Sequence, residues 1–522
     1  MSEKKERIET DLYKTFWEKK NRQSIANNPE KVEKVHAKGK LTAQERMQLL
    51  FDESIYEETN PWIRNRCINF DLYKKDAENE GVITGFGQVY GRKVCAFSND
   101  AFVMGASLGE AQGIKICKNI ELAMKSGVPI IGLNDASGAR IQEGVAALHG
   151  YCSIFGQISI ASGWIPQISI ILGSCAGGTA YSSALTDFII MANPVGKIFI
   201  TGPAVIKSVT GEDVTFDQLG GSKVQGSVTG LAHFVVDSES EAMDLARRLL
   251  TFLPSNSKEL PPVYNNQDPI TRRTPEMVNI IPENQNRGFD MKEIIGMIVD
   301  NGDFLEVQEK FATNMIIGFA RINGNTVGIV ANQPKVLAGC IDINASWKAA
   351  RFVRFCDSFN IPLITFADCP GYLPGVSQEH NGIIRNGAKL LFAYSEATVP
   401  KITVVVRKDY GGAYSAMCGK GMGADVVLAF PTAELAVMGA EGAANIVFKD
   451  EIRKAENKDQ KRKEMIEKYK IEYLNPYRAA EYGIVDDIID PAVLREKLSL
   501  NLNMLKDKDI WSPYKKHSNI PL

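Results

Sequence analysis

Excess charge of either sign is missing from this chain: 60 Lys and Arg stand against 62 Asp and Glu in 522 residues, a formal net charge of −2. Even the Lys-rich stretch "DEIRKAENKDQKRKEMIEKYK", from Asp450, is interleaved with acidic residues. Without a basic face to meet a phosphate backbone, no nucleic acid partner is expected. Histidine occurs only five times, and the nine cysteines contain no Cys-x-x-Cys pair. That pattern excludes a zinc ribbon of two such pairs, points to no metal in this chain, and fits a reducing, cytoplasmic setting. No Gly-x-Gly-x-x-Gly follows a strand pattern and no Gly-x-x-x-x-Gly-Lys-Ser/Thr occurs, so nucleotide hydrolysis has no support. The opening "MSEKKERIETD" is charged from its third residue, and no signal peptide is expected. Long apolar runs are lacking too. The uncharged stretch from Gly150 to Thr186 is broken by Pro166 and by Gly, Ser and Gln, so it falls short of the roughly 20 apolar residues of a membrane span. It reads as a buried strand, turn and helix.

What the chain does have is 44% apolar residues, enough for large cores, and an internal repeat. "GFGQVYGRKVCAFSND" from Gly85 answers to "GFARINGNTVGIVANQ" from Gly318 at an offset of 233. The same offset relates Pro129 to Pro362, Asp135 to Asp368 and Gly138 to Gly371. Downstream, "PQISIILGSCAGG" from Pro166 parallels "PKITVVVRKDYGG" from Pro400, so the pair Gly177-Gly178 recurs as Gly411-Gly412. Short apolar runs (128–133, 168–172, 363–366, 402–406) alternate with helical patterns such as "SLGEAQGIKICKNIELAMKSG". This alternation predicts an α/β fold, one sheet with outer helices in each copy. The Pro- and Asn-rich segment between the copies reads as a linker over 256–284, separating an N-terminal domain, 1–255, from a C-terminal domain, 285–522. "PEKVEKVHAKGKLTAQERMQLLFD", from Pro29, predicts two amphipathic helices packed outside the first core.

A glycine pair where a strand feeds a helix lets backbone N–H groups come close to a ligand and aims them at developing negative charge, as in an oxyanion hole. Close helix–strand packing is the competing explanation, and recurrence in both copies favours the hole. A second rival is a hydrolase: Gly173-Ser174-Cys175-Ala176-Gly177 fits a nucleophile elbow with cysteine as the nucleophile. Its counterpart, Arg407-Lys408-Asp409-Tyr410-Gly411, keeps the glycine and drops the thiol. Arg140, in "DASGARIQEG", follows a turn and either binds a phosphate or pins a loop.

Taken with "FITGP", "PTAELAVMGAEGA", "GEDVTFDQLGGSKVQ" from Gly211 and "IIRNGAKLLFAYSEATVPKITVVVRKDYGGAYSAM" from Ile383, the sequence resembles the carboxyltransferase β subunits of biotin-dependent acyl-CoA carboxylases, the propionyl-CoA carboxylase type, over nearly its whole length. The resemblance implies two duplicated crotonase-like domains of β-β-α superhelical architecture. It also implies a homohexamer with active sites between the N-terminal domain of one subunit and the C-terminal domain of its partner. Gly177 and Gly178, beside Ala176, would hold the thioester oxygen of a short acyl-CoA such as propionyl- or acetyl-CoA. Gly411, Gly412 and Ala413 would hold the ureido oxygen of biotin, while Tyr414 and Ser415 shape the acyl pocket and Arg140 contacts substrate. The implied partners are a biotin carboxylase and a biotin carboxyl carrier protein. The motif around "AMCGKGMGADVV" is similar to methylmalonyl-CoA decarboxylase and transcarboxylase subunits, which run the same half-reaction in reverse. Outside catalysis, an acyl-CoA-binding scaffold remains an alternative, as does the Cys175 hydrolase.

Overall fold

In the computed structural model, which describes residues 11–22, 29–75 and 78–521, the chain divides into two compact units, 1–251 and 252–522. The first is built on a seven-stranded sheet. Its strands are β1 (Tyr56–Thr59), β2 (Val82–Val89), β3 (Arg92–Asn99), β4 (Ile130–Asn134) and β5 (Gln167–Ile171). A small pair, β6 (Ser174–Ala176) and β8 (Lys197–Phe199), stands apart, and β7 (Phe188–Ala192) and β9 (Phe234–Val236) complete the large sheet in the order β1-β2-β3-β4-β5-β7-β9. β1, β2 and β3 are antiparallel, and every pairing from β3 onward is parallel.

The second unit repeats this plan with β10 (Phe304–Val307), β11 (Met315–Ile322), β12 (Asn325–Asn332), β13 (Leu363–Cys369), β14 (Lys401–Tyr410), β15 (Val426–Ala429), β16 (Glu434–Ala436) and β17 (Asp487–Ile488). The order is β10-β11-β12-β13-β14-β15-β17, with β16 on the far end of β14. The repeat holds at the level of register. Cys95 faces Ile130 in the first sheet and Gly328 faces Leu363 in the second, both members displaced by the sequence offset.

Parallel strands need helical crossovers that cover the sheet, and their own residues, buried on both faces, are continuously apolar. β4, β5 and β7 are buried at every position. The crossovers are Glu110–Ser126 and Val145–Ala161 in the first unit, Ile343–Ser358 and Ile383–Glu396 in the second. Glu110–Ser126 stops at Gly127, whose left-handed φ of 61° caps it. The first helix pair packs so closely that a Cβ at Gly113 would lie 2.9 Å from the Gly150 Cα.

The first crossover helix of each unit carries a lysine turned inward at the same place. Lys115 Nζ donates to the carbonyls of Val82 (2.7 Å) and Asn79 (3.2 Å). Lys348 Nζ donates to Met315 (2.7 Å), Phe311 (2.8 Å), Gln308 (3.0 Å) and Ala312 (3.4 Å), fastening the segment before β11 to the helix. Burial pulls these amines down, to about 8 and about 7.

The two helices expected near the N-terminus are Pro29–His36 and Ala43–Leu50, the latter opened by a Thr42–Glu45 capping box. Buried Arg46 ties the second to the core through Glu239 (2.7 Å) and Asp135 (3.3 Å). The segment 256–284 is largely irregular but anchored to the second unit. Tyr264 N–H donates to Gly324 O (3.0 Å), and Asp268 joins Arg272 in an ion pair, with Arg272 donating to Met297 O (2.7 Å). No helix among the described residues is long and apolar enough to cross a membrane.

Candidate functional site

In both units the chain leaves a strand, β6 in the first and β14 in the second, turns through a glycine and enters a short helix. Gly177 has φ 56°, ψ −119° before the helix Gly178–Ala184, and Gly411 has φ 55°, ψ −124° before Gly412–Ala416. A side chain is strained at such φ values, so glycine is required at both positions by backbone geometry. The loops facing the turns are duplicated too. Leu108 N–H donates to Gly138 O (2.8 Å) and Ile341 N–H to Gly371 O (3.1 Å); Arg140 N–H returns to Leu108 O and Leu373 N–H to Ile341 O, each at 2.9 Å. Asp135 N–H and Asp368 N–H both donate to an asparagine at a strand end, Asn99 Oδ1 (3.3 Å) and Asn332 Oδ1 (3.2 Å).

The amides divide in a way the motif does not reveal. Gly177 N–H donates to Ile200 O (3.0 Å) and Phe199 O (3.3 Å), and Gly411 N–H to Ala436 O (2.9 Å). Both amides, expected among the donors to a ligand, instead hold the turn closed. The N–H groups of Gly178, Gly412 and Ala413 donate to no acceptor among the described residues. Gly411 and Gly412 are exposed, Gly178 is half-buried and Ala413 is buried. Ala176, also half-buried, donates its N–H to Ala136 O (3.3 Å), linking the first turn to the "DASGAR" loop.

Aromatic rings back both turns. A Cβ at Gly178 would meet the Tyr151 ring at 2.5 Å, and one at Gly412 would meet Tyr372 Cδ2 at 3.2 Å. Close packing is therefore a second reason for glycine at 178, beside any role of its amide. Tyr151 is fixed there by its hydroxyl, 2.7 Å from Thr179 Oγ1. Downstream of the second turn, Tyr414 and Ser415 are half-buried, and the Tyr414 hydroxyl accepts from Lys420 N–H (3.1 Å).

Two expectations are corrected. Arg140 is 1% exposed and does not offer a free guanidinium to a phosphate. It is ion-paired with Glu80 and with Glu143 (2.7 Å) and donates to Ser107 O (2.8 Å) and Ser107 Oγ (3.4 Å), so it pins the loop. The second copy has Leu373 at this place in the duplicated bridge. Cys175 is no nucleophile: it is fully buried in an apolar cluster, and burial pushes its thiol up to about 12. Nor does a catalytic histidine serve it. His233 Nδ1 accepts from Ile189 N–H (3.0 Å), and His149 and His380 are exposed.

Features passed over in the sequence also converge on the second turn. Asp368 and Arg407 form a buried ion pair (2.9 Å), and Asp409, the last strand residue but one before Gly411, is 1% exposed with its Oδ1 unpartnered. The signal available in the sequence was a carboxylate inside the apolar run of a strand. Among the described residues no group of three or more His, Cys, Asp or Glu is placed to hold a metal ion.

Comparison with known proteins places this geometry. The carboxyl transferase domain model matches residues 34–520. The chain is 51% identical to the methylmalonyl-CoA decarboxylase subunit alpha of Propionigenium modestum over 504 residues, 97% of this chain and 98% of that one. It is 50% identical to the carboxyltransferase subunit of propionyl-CoA carboxylase from Haloferax mediterranei over 505 residues, 97% of this chain and 98% of that one. Among solved structures, the transcarboxylase 12S subunit, crystallised as a hexamer with methylmalonyl-coenzyme A and methylmalonic acid bound, superposes with a TM-score of 0.95 at 48% identity, covering 99% of this chain and 100% of that one.

Proposed function

The chain belongs to the carboxyl transferase family, enzymes of duplicated crotonase-like fold, and from that premise we propose that it exchanges a carboxyl group between biotin on a separate carrier protein and the α-carbon of a short acyl-CoA, propionyl- or acetyl-CoA. The observation that carries this reading is the pair of superimposable turns, φ 56°, ψ −119° and φ 55°, ψ −124°, one in each unit. Two reactants with an oxygen each need two sets of donors. Gly178 N–H serves the thioester oxygen, which gains charge as the acyl-CoA becomes an enolate. Gly412 and Ala413 N–H serve the ureido oxygen of biotin; neither amide has an acceptor among the described residues, and Gly412 is exposed. Gly177 and Gly411 fix the geometry rather than touch the ligands.

Bound biotin supplies the carboxyl group and, once free of it, a base for the α-proton. The chain therefore has to position, exclude water and stabilise charge, and needs no histidine or glutamate of shifted pKa. Tyr414 and Ser415, just past the biotin-side turn, border the acyl pocket and set chain-length preference. Ala176, beside the first turn, lines the acyl-CoA side. The hexameric relative supports a homohexamer, and the family implies a biotin carboxylase and a carrier protein as partners. A second reading, the decarboxylase direction, is favoured by the identity to the Propionigenium subunit. Direction is set by the partner chain, and a co-purifying membrane decarboxylase subunit selects it.

The test supplies a biotin carboxylase, biotinylated carrier, ATP and labelled bicarbonate with acetyl-, propionyl- or butyryl-CoA. Gly412→Pro removes one amide at the first helical position, where proline is accepted. Gly412→Ala keeps the amide. We expect the proline variant to lose on the order of 10²- to 10³-fold in turnover, as when a single oxyanion donor is deleted, and the alanine variant to stay within a few-fold. Equal activity of the two variants refutes the assignment.

A further inference from the structure

We propose that Asp409 is a positioning residue of the biotin-side turn: its carboxyl, buried without an ion-pair partner in the strand that runs directly into Gly411–Gly412, keeps that turn able to receive an oxygen gaining negative charge. The inference rests on the carboxyltransferase reading and goes beyond it by naming what keeps the turn receptive. Asp409 closes β14 together with Tyr410; it lies opposite Cys369 in one ladder and Leu435 in the other. Its exposure is 1%, its Oδ1 finds no hydrogen-bond partner, and no ion pair among the described residues includes it.

The charged and titratable groups around it do not neutralise it. From β13 come Asp368, already closed on Arg407 at 2.9 Å, and Cys369, whose thiol burial keeps protonated. From β14 itself come Arg407 and Lys408; the half-buried Lys408 amine feels Arg407, Asp368 and Glu434, and no ion pair among the described residues joins it to Asp409. From β16, Glu434 is taken by the Tyr410 hydroxyl, and beyond the turn stands Tyr414. Burial, with the neighbouring Asp368 carboxylate, pushes Asp409 up to about 8. In the first copy the same place, two residues before the turn glycine, is held by Cys175, another buried group that stays uncharged at neutral pH. Two chemically unrelated side chains thus share one electrostatic property at matched positions. Ionised Asp409 would set a negative charge a few residues from amides meant to bind an oxyanion, a repulsion that the dry interior screens poorly.

The experiment compares the full-length wild type with Asp409→Asn and with Asp409→Cys, the latter importing the first copy's solution. Turnover with carrier and propionyl-CoA is followed from about pH 6.5 to about 9.5, alongside the urea midpoint from about pH 4 to 9. Wild-type turnover should fall about ten-fold or more on the alkaline side with a midpoint near 8, while both variants stay flat and the KM for acyl-CoA is unmoved. Because the folded-state pKa is raised, the folded protein holds a proton that the unfolded chain releases between about 4 and about 8. Wild type should therefore lose stability relative to Asp409→Asn as pH rises through that window. An unchanged alkaline limb in both variants, or a stability difference independent of pH, overturns the proposal. Absence of transfer by wild type at every pH overturns the carboxyltransferase reading and this one with it.

Discussion

Gly178→Ala and Gly412→Ala make the same change at matched turns, and the structure predicts unequal costs. Alanine in place of glycine inside a helix gains up to about 1 kcal/mol, and both residues open a helix, so this term is shared. The difference lies in the ring each methyl would meet. At 178 the new Cβ would sit 2.5 Å from Tyr151 Cγ and Cδ1, about 1 Å inside ordinary carbon–carbon contact. Tyr151 has little room to retreat: it is 4% exposed, and its hydroxyl is held 2.7 Å from Thr179 Oγ1. Overpacking of this kind costs roughly 1–3 kcal/mol. At 412 the approach is 3.2 Å to Tyr372 Cδ2, a few tenths of an ångström short, against a half-buried ring. We expect Gly412→Ala to be neutral within about 0.5 kcal/mol and Gly178→Ala to be less stable by about 1–2 kcal/mol, measured from urea midpoints. Tyr151→Ala in the Gly178→Ala background should show a coupling of at least about 0.5 kcal/mol, since the space vacated by the ring accepts the methyl. Equal stability of the two alanine variants, or strict additivity with Tyr151→Ala, refutes the packing argument and returns Gly178 to a purely ligand-facing explanation.

Three further outcomes follow from buried groups. Lys348→Met removes the ammonium donor from the carbonyls of Gln308, Phe311 and Met315, of which Gln308 O keeps the Phe311 N–H, and should cost about 2–5 kcal/mol in chemical denaturation, more than Lys115→Met, which removes the donor from two carbonyls. Arg140→Met leaves Glu80 and Glu143 buried without a cation and should destabilise the fold by about 3–5 kcal/mol, yet leave the KM for acyl-CoA of the folded enzyme unchanged; a raised KM without loss of stability would restore the phosphate role. Under native conditions Cys175 should resist iodoacetamide while exposed Cys152 reacts, and Cys175→Ala should retain transfer; peptide mapping by mass spectrometry decides this.

The duplication was legible because it is written in residues with backbone duties. Pro129 and Pro362 precede equivalent strands, and Gly138 and Gly371 offer their carbonyls to equivalent bridges, so a sequence offset of 233 became a structural one. Strand positions followed from apolar runs that parallel, doubly covered sheets require. The site was only half legible, since a motif names residues and not the direction of their N–H bonds. Gly177 and Gly178 look alike in sequence, yet one amide faces Ile200 O and the other has no acceptor among the described residues, a distinction set by β8 some twenty residues downstream. Arg140 was undecidable for the same reason: its partner Glu80 lies 60 residues away, on the far side of three strands. Lys115 and Lys348 carried a usable signal, a lysine at the repeat offset on the inner face of an amphipathic helix, which reads as ordinary surface charge when each copy is considered alone.

Duplication also explains why the two turns can differ in chemistry while sharing a backbone. Once the glycine at φ near +55° and its carbonyl clasp fix the turn, the residues behind it are free to vary, provided none brings charge into the region where an oxygen must become negative. The first copy satisfies this with an apolar cluster around Cys175. The second closes the ion pair Asp368–Arg407 within itself and buries Asp409 without an ion partner, its carboxyl pushed up to about 8. The ring behind each turn varies in the same way: Tyr151 is locked against Gly178, whereas Tyr372 leaves Gly412 room for a methyl. The first turn is thus tightly packed, and the second is exposed at Gly411 and Gly412, which suits the proposed role of receiving a group that arrives on a separate carrier.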